Sequence, residues 1–349
     1  MKNTELAFEI YKHYKTIYPE VSHYHGIVAN YGLVNLAEIA GPDSEEAKLL
    51  KEVLATFPDH VKHGRYNFPS YAICGNAKAR SLWNGLWTDA EQVRTYADEI
   101  MYSAQRDADG IIGMPAGKPA QRVWIDVATA VTPFLLFSGL AMNEPKYLDE
   151  AARQTLMMYD LFLDPANGLL HQSRDFCGEG KISEDHWSRG NGWGICPLAE
   201  LVAHLPDDHP EKARCIEYFK AHLTALLNFQ SKYGMWRQEV SVEEYEGLYS
   251  YEETSGTALI LYAMGIGLRL GILDPEVFMP AFKRGIAGLK MISIAFDYSI
   301  NNSCPGCLCP GDGTIRAYLS HRRPFPNEPH GAGPVIMALA EAHRNGITE

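Results

Sequence analysis

One carboxylate in this 349-residue chain stands at the start of an otherwise apolar helix, where it could do chemistry. Asp126 follows Trp124 by two positions and opens a predicted buried helix over residues 126–142. An aspartate at a helix start commonly caps exposed backbone N–H groups, which is the simpler interpretation. Alternatively, apolar neighbours desolvate the carboxyl, raise its pKa and make it a proton donor near neutral pH. The spacing is compatible with both.

Two later stretches carry further side chains suited to a polar ligand. Gly168-Leu-Leu-His171 places a histidine in a loop, and His186-Trp-Ser-Arg-Gly-Asn-Gly-Trp193 opens another helix. Arg189 offers a planar fork that matches a carboxylate, and the tryptophans offer flat faces for a sugar ring. The glycines let the backbone approach something closely. The alternatives are a histidine satisfied by the backbone and a tryptophan-rich core turn with a solvated arginine.

Charge and composition exclude several classes of function. The formal net charge of −12 disfavours nucleic acid and an anionic membrane surface as partners, since both require a basic footprint. A small anionic substrate is compatible with this net charge if the pocket that binds it is locally basic. The N-terminal stretch lacks an apolar run of signal-peptide length, and no later run is long enough for a membrane span. Seven cysteines, an odd number, fit a reducing compartment, so we expect a cytoplasmic protein.

Neither a metal site nor an organic cofactor is predicted. Cys304-Pro-Gly-Cys307-Leu-Cys309 could hold a metal with His321, but a second Cys-x-x-Cys pair is missing. Free or buried thiols are therefore the preferred interpretation. The chain has no phosphate-binding loop of the Walker or Rossmann type, and it also lacks Gly-x-Ser-x-Gly and His-Glu-x-x-His.

Hydrophobic periodicity predicts an all-α protein in which amphipathic helices alternate with buried ones. The predicted helices span about 3–18, 27–40, 44–57, 69–87, 89–104, 126–142, 145–162, 187–205, 210–229, 252–270, 274–294 and 328–344. Six such pairs can close into an (α/α)6 barrel, and an open solenoid is the alternative. We expect a single domain over residues 1–349.

The longer predicted loops all precede buried helices. In a barrel they gather at one end, around the N-termini of the inner helices. Loops of this length usually carry function. The same end collects unpaired backbone N–H groups and the positive ends of helix dipoles, which favour a bound anion.

The three chemistry-bearing stretches together resemble glycoside hydrolase family 105, the unsaturated rhamnogalacturonyl and glucuronyl hydrolases, and the related family 88. The matching motifs are Trp124-Ile-Asp126, Gly168-Leu-Leu-His171, Trp187 to Trp193, Glu253-Thr-Ser-Gly-Thr-Ala258, Asp312-Gly-Thr314 and Gly331-Ala-Gly-Pro334. They extend over most of the chain, from about Tyr24 to the end. Trp-x-Arg-Gly-Asn-Gly-Trp is the most specific of them.

The resemblance implies a cytoplasmic (α/α)6 barrel that removes a 4,5-unsaturated uronic acid from the non-reducing end of lyase-generated oligosaccharides. Asp126 would protonate C4 of the enol ether, water would add at C5, and the hemiketal would open and release the next sugar. No metal or cofactor takes part in the family. The substrate-binding residues implied or suggested are Tyr24, Trp124, His171, Trp187, Arg189, Asn191 and Trp193.

The chain departs from the family pattern at two places. Where the family has a second aspartate, this chain has Tyr71-Ala-Ile-Cys-Gly-Asn76, and Val127-Ala-Thr-Ala130 replaces the usual Gly-Leu-Tyr-Met. Two other classes of function therefore stay open. One is another (α/α)6 enzyme, either an inverting glycosidase or a sugar epimerase, and the other is a non-catalytic carbohydrate-binding barrel. The oligomeric state and the leaving sugar are not encoded in these patterns.

Overall fold

The computed structural model describes residues 1–19, 24–57, 74–113, 122–306, 311–320 and 323–349, with the backbone alone for Tyr24. Most of these residues are helical. In chain order the helices are α1 (Asn3–Ile17), α2 (Tyr24–Ala40), α3 (Glu45–Ala55), α4 (Gly75–Trp83), α5 (Ala90–Ser103), α6 (Asp126–Met142), α7 (Pro145–Phe162), α8 (Ser188–His204), α9 (Lys212–Leu227), α10 (Thr254–Arg269), α11 (Pro275–Gly288), α12 (Ile315–Leu319) and α13 (Ala332–Arg344). All but α12 coincide with a predicted helix.

Two kinds of helix alternate along the chain. The amphipathic helices have local start signals: Ser44 caps α3 by accepting from the Ala47 amide at 3.1 Å, and Asp89 and Asp274 cap α5 and α11. By contrast, α6 and α10 bury residues on every face. Such helices require protein on all sides, because apolar surface is excluded from water.

The buried helices α2, α4, α6, α8, α10 and α13 pack in a continuous series, and α13 packs back against α2. Each amphipathic helix lies against its neighbouring buried helix. A narrow cavity at the centre is lined by side chains from all six buried helices. Contacts between Gly256 and Ser188 and between Gly333 and Val28 bring N-terminal ends of these helices together, and those of Glu38 with Arg80 and Arg344 bring C-terminal ends together.

A buried charge network lies at the C-terminal end. The Arg80 guanidinium donates to Glu38 at 2.7 and 2.8 Å and to Glu200 at 3.0 Å, and Tyr31 and Tyr262 also donate to Glu200. These residues come from α2, α4, α8 and α10. Burial by itself would raise the pKa of Glu200. The charge of Arg80 and the neighbouring groups outweigh burial and lower this pKa well below its usual range.

Short strands at the N-terminal end correct the all-α expectation. Two-residue strands pair antiparallel as β1 (Val123–Trp124) with β2 (Ser173–Arg174), β3 (Trp236–Arg237) with β6 (Glu252–Glu253), and β4 (Glu244–Tyr245) with β5 (Leu248–Tyr249). The predicted helix starting at 252 is thus strand for two residues. The predicted helix 274–294 ends in a π-helical turn, Leu289–Ser293. These pairs tie the long loops together in front of the buried helices.

Among the described residues, no helix has the length and apolar character needed to cross a membrane.

Candidate functional site

Asp126 is the first residue of α6, and Ile125 occupies the N-cap position before it. Its Oδ2 is out of contact with solvent and has no hydrogen-bond partner in the described part of the chain. Burial raises the pKa of Asp126 to about 7, while the charge of Arg189 and hydrogen bonds from its own amide and the Trp124 side chain limit the rise. A carboxyl of this kind can hold and donate a proton at neutral pH.

Arg189 lies on the first turn of α8 and is buried. Its Nη1 donates to Cys304 O at 2.5 Å and to Ser255 Oγ at 3.0 Å, and its Nη2 donates to Pro305 O at 3.1 Å. The guanidinium carbon also lies 4.6 Å from the centre of the Trp187 ring. The chain itself thus fixes this guanidinium, whose charge acts on Asp126. Direct contact between Arg189 and a uronate stays a prediction.

The side chain of Asn191, which the sequence predicts to contact substrate, hydrogen-bonds to other parts of the chain. Its Oδ1 accepts from the Leu170 amide at 2.8 Å and lies 3.0 Å from His222 Nε2. Its Nδ2 donates to Leu170 O at 3.1 Å and to Trp187 O at 3.0 Å. The side-chain amide is therefore satisfied inside the protein. It holds the loop that carries His171 against α8.

The glycines of the Arg-Gly-Asn-Gly motif serve close packing between protein elements. A Cβ on Gly190 would lie 2.8 Å from the Trp187 ring, and one on Gly192 would lie 2.7 Å from Leu259 Cβ. The sequence predicts a close approach here, and the partner in this structure is the chain itself. Trp187 is also buried, with Nε1 donating to Cys304 Sγ at 3.1 Å. That packing surrounds its ring with protein atoms, and contact between the ring and a substrate stays a prediction.

The other predicted aromatic contacts have different surroundings. Trp193 is largely buried and lines the central cavity with Thr129, whose Oγ1 donates to Trp193 O at 2.8 Å. Trp124 packs edge-on against Phe176, with ring centres 6.0 Å apart. The side chain of Tyr24 lies outside the described residues. Of the three tryptophans predicted to contact substrate, Trp124 is the one that hydrogen-bonds to the Asp126 carboxyl.

His171 belongs to a cluster that the sequence did not reveal as a whole. Its ring centre lies 4.7 Å from that of His186, and Asp164 Oδ2 lies 3.1 Å from His186 Nε2 and 3.9 Å from His171 Nε2. Burial and the neighbouring imidazole lower the pKa of His171. Glu239 lies 3.6 Å behind His186 Nδ1. Such alternating acids and imidazoles can pass or store a proton.

Asp164, His171 and His186 are also the described residues that could hold a divalent cation, because their ligand atoms lie within 4.8 Å of one another. The same atoms already make a carboxylate–imidazole hydrogen bond, so the cluster does not require an ion. At the alternative cysteine site, Cys304 Sγ already accepts from Trp187 Nε1 at 3.1 Å and from Arg189 Nη1 at 2.9 Å. Cys307, Cys309 and His321 lie outside the described residues.

A second buried carboxyl lies near the same arginine. Burial raises the pKa of Glu328 to about 7, and the charge of Arg189 limits the rise. Its oxygens contact His330 Nδ1 at 2.6 Å and the His330 amide at 2.9 Å. Sequence analysis assigned Glu328 to a helix start. The sequence feature that could have identified this acid is the segment Glu328-Pro-His330, which lies directly before the last buried helix.

This chain has no carboxylate where the family pattern has its second aspartate. Asn76 donates from Nδ2 to Thr129 O at 3.0 Å, and Tyr71 lies outside the described residues. Glu253 caps α10, because its carboxylate accepts from the amides of Ser255 and Gly256 and from Ser188 Oγ. In the described part of the chain, Asp126 and Glu328 are acids whose pKa is raised to about 7 and on which the charge of Arg189 acts.

Comparison with known proteins agrees with this arrangement. The family model described as Glycosyl Hydrolase Family 88 matches residues 3–346. The chain belongs to glycosyl hydrolase family 88. A curated family relative, the unsaturated 3S-rhamnoglycuronyl hydrolase of Formosa agariphila, is 27% identical over 206 residues. That alignment covers 57% of this chain and 54% of the relative, so it spans about half the relative's length.

Solved structures share the fold. A family 105 glycoside hydrolase from C. acetobutylicum is 23% identical, with a TM-score of 0.84 and coverage of 98% of this chain and 99% of that chain. The unsaturated glucuronyl hydrolase of Bacillus sp. GL1 is 19% identical, with a TM-score of 0.71 and coverage of 94% and 88%. The resemblance to families 105 and 88 inferred from the sequence motifs is thus confirmed.

Proposed function

We propose that this family 88 protein is an unsaturated uronyl hydrolase, built as a single (α/α)6 barrel over residues 1–349. The substrate would be an anionic oligosaccharide with a 4,5-unsaturated uronic acid at its non-reducing end. The closed packing of the buried helices supports the barrel. The observation that carries the activity is the partly exposed Asp126, whose Oδ2 is out of contact with solvent and whose pKa of about 7 keeps a proton available at neutral pH.

In the proposed reaction, Asp126 donates its proton to C4 of the enol ether. Positive charge then develops at C5 and the ring oxygen, and a nearby carboxylate stabilises it. Water adds at C5 and returns a proton, which gives a hemiketal. The hemiketal opens to the ketone and releases the next sugar. Glu328 in its ionised form is a candidate for the stabilising carboxylate, since the charge of Arg189 acts on it and favours ionisation.

The conjugated double bond of the substrate gives a direct test. Purified protein should bleach the near-ultraviolet absorbance of a lyase-generated unsaturated disaccharide, because hydration at C5 destroys the chromophore. Cleavage of saturated glycosides with no bleaching would instead indicate an ordinary glycosidase. An unchanged absorbance with the ligand bound would indicate a binding protein. A panel of disaccharides from different lyases would identify the leaving sugar and linkage.

The pH dependence should follow the protonation of Asp126. Its folded pKa is raised to about 7, so the carboxyl is protonated below that pH and loses its proton above it. We expect kcat/KM to fall about tenfold per pH unit above pH 7, because this pKa belongs to the ligand-free protein and only the protonated acid can donate. Initial rates at substrate concentrations well below KM, between about pH 5 and pH 9, would measure this. A kcat/KM that stays level up to pH 9, in protein shown to be folded by circular dichroism, would contradict the assignment.

A further inference from the structure

The imidazole of His330 has no role in the proton transfer described above, yet it contacts an acid on which the charge of Arg189 acts. Its Nδ1 lies 2.6 Å from Glu328 Oε1, and its amide donates to Glu328 Oε2 at 2.9 Å. Both side chains are buried. We refer to these two residues as the Glu328–His330 pair. When Nδ1 carries a proton, both oxygens of the carboxylate have a donor.

The backbone beside the Glu328–His330 pair is fixed by other parts of the chain. The Asn327 amide donates to Ile300 O at 2.7 Å, and Asn327 Oδ1 accepts from the Ile300 amide at 3.0 Å. Tyr18, at the end of α1, donates from Oη to Asn327 O at 2.8 Å. A Cβ on Gly331 would overlap Ser303, so this glycine allows the two segments to pack closely. The position of the carboxyl is therefore set by tertiary contacts.

Charged and titratable groups face the pair from several elements. Arg189 of α8 acts on Glu328, and the ring centre of His25 of α2 lies 5.5 Å from that of His330. Tyr18, Tyr251 and Cys304 also interact electrostatically with Glu328. Burial raises the pKa of each of these three groups, so they are uncharged at neutral pH. Arg189 thus supplies a permanent positive charge, and His330 supplies the hydrogen bonds.

The two acids beside Arg189 differ in their hydrogen bonds. Both oxygens of Glu328 contact His330, whereas Oδ2 of Asp126 has no partner in the described part of the chain. Burial raises the pKa of both carboxyls to about 7, so near neutral pH a small difference decides which acid is ionised. Donors to a carboxylate stabilise its charged form. The contacts therefore favour an ionised Glu328 and a protonated Asp126.

We propose that His330 is a positioning residue that keeps Glu328 ionised as the partner of the proton donor Asp126. This inference rests on the proposed hydrolase function and names the group that prepares its second carboxylate. The negative charge of Glu328 stabilises the positive charge that develops at C5 and the ring oxygen. Glu328 thereby takes the acidic role for which this chain has no aspartate at the family position. His330 acts through Glu328 and exchanges no atom with the substrate.

Carbon-13 NMR of protein labelled at the glutamate Cδ measures the ionisation of Glu328 without requiring turnover. Glu328→Gln identifies the resonance, because it removes that signal. His330→Leu should raise the pKa of Glu328 by about one pH unit, since the carboxylate loses a donor. His330→Asn should restore most of the wild-type pKa, because its amide can donate from nearly the same place. An unchanged Glu328 pKa in His330→Leu would overturn the proposal.

Kinetics of the same variants separate a positioning role from a structural one. A pKa that moves from about 7 to about 8 lowers the ionised fraction of Glu328 at pH 7 from about one half to about one tenth. We therefore expect kcat/KM of His330→Leu to fall about fivefold at pH 7, and the loss should shrink by about pH 8.5. In a Glu328→Gln background the same substitution should have no further effect. An equal loss in that background, or a loss that does not vary with pH, would overturn the proposal.

His209→Leu is the matched control, because His209 Nε2 lies 3.2 Å from Asp149 in an imidazole–carboxylate pair outside the site. It should keep the wild-type kcat/KM. Circular dichroism would show that each variant is folded, and His330→Phe, which keeps a ring without donors, replaces His330→Leu if that variant does not fold. Bleaching of unsaturated substrate with an unchanged Glu328 pKa in the variant would refute the role of His330 alone. The expected pKa change in a protein that never bleaches the substrate would refute the hydrolase function alone.

Discussion

Replacing Asp126 with asparagine should lower kcat on an unsaturated disaccharide by about 10²–10⁴-fold, the usual contribution of a positioned general acid. Asparagine has nearly the same shape but no acidic proton. Because Oδ2 of Asp126 makes no hydrogen bond among the described residues, the fold should tolerate the change. Substrate affinity should change much less than turnover. Loss of near-ultraviolet absorbance measures kcat, and calorimetry with the inactive variant measures Kd.

Asp89→Asn is a matched control for the alternative that Asp126 only supports a helix start. Asp89 caps α5 and accepts from the Glu91 amide at 3.1 Å, far from any proposed chemistry. Its asparagine variant should keep wild-type turnover, since asparagine is also a good N-cap. If Asp126→Asn retains near-normal turnover as well, the proton comes from another group. In that case Glu328 would be the next acid to replace.

Replacing Arg80 with methionine should destabilise the protein by about 3–5 kcal/mol, because the change leaves buried carboxylates without their partner. Arg80 contacts Glu200, whose side chain is 2% exposed, and Glu38. The three residues join α2, α4 and α8 at the end opposite to Asp126. The free energy of unfolding from urea titration would measure the loss. The effect should be on stability, since the network lies away from the proposed chemistry.

The Arg94–Glu144 pair provides the control, because it joins the same residue types with side chains 45% and 31% exposed. Arg94→Met should cost less than about 1 kcal/mol, the usual value of an exposed pair. The deficit of Arg80→Met should shrink as the pH falls, since Glu200 can then take up a proton. Adding Glu200→Gln to Arg80→Met should restore part of the stability. Equal losses for Arg80→Met and Arg94→Met would show that the buried network contributes little.

The positions of all the described helices except α12 were predicted from the sequence. Alternating amphipathic and buried segments, with caps such as Ser44 and Asp89, specify them through interactions within a few residues. The prediction missed α12 and the short strands. The strands depend on pairing between residues such as Trp124 and Ser173, which lie in separate loops. Local periodicity carries no information about such pairs.

The sequence also identified the central acid and the motifs around it, because a carboxylate two places after a tryptophan at a helix start is a local pattern. It did not distinguish groups that face a ligand from groups that hold the site together. Within one motif, Asn191 bonds to Leu170, whereas Trp187 and Arg189 both bond to Cys304. Those partners come from distant parts of the chain and are known only once it has folded.

The sequence therefore places an aspartate at position 126, whereas the tertiary structure determines the pKa of its carboxyl. The pKa depends on burial beneath the packed helix ends and on the charge of Arg189, which lies 63 positions away in the chain. The position of Glu328 beside Arg189 arises in the same way, from segments that meet only in three dimensions. Hydration and charge act through space, whereas the sequence pattern reports only what is close along the chain.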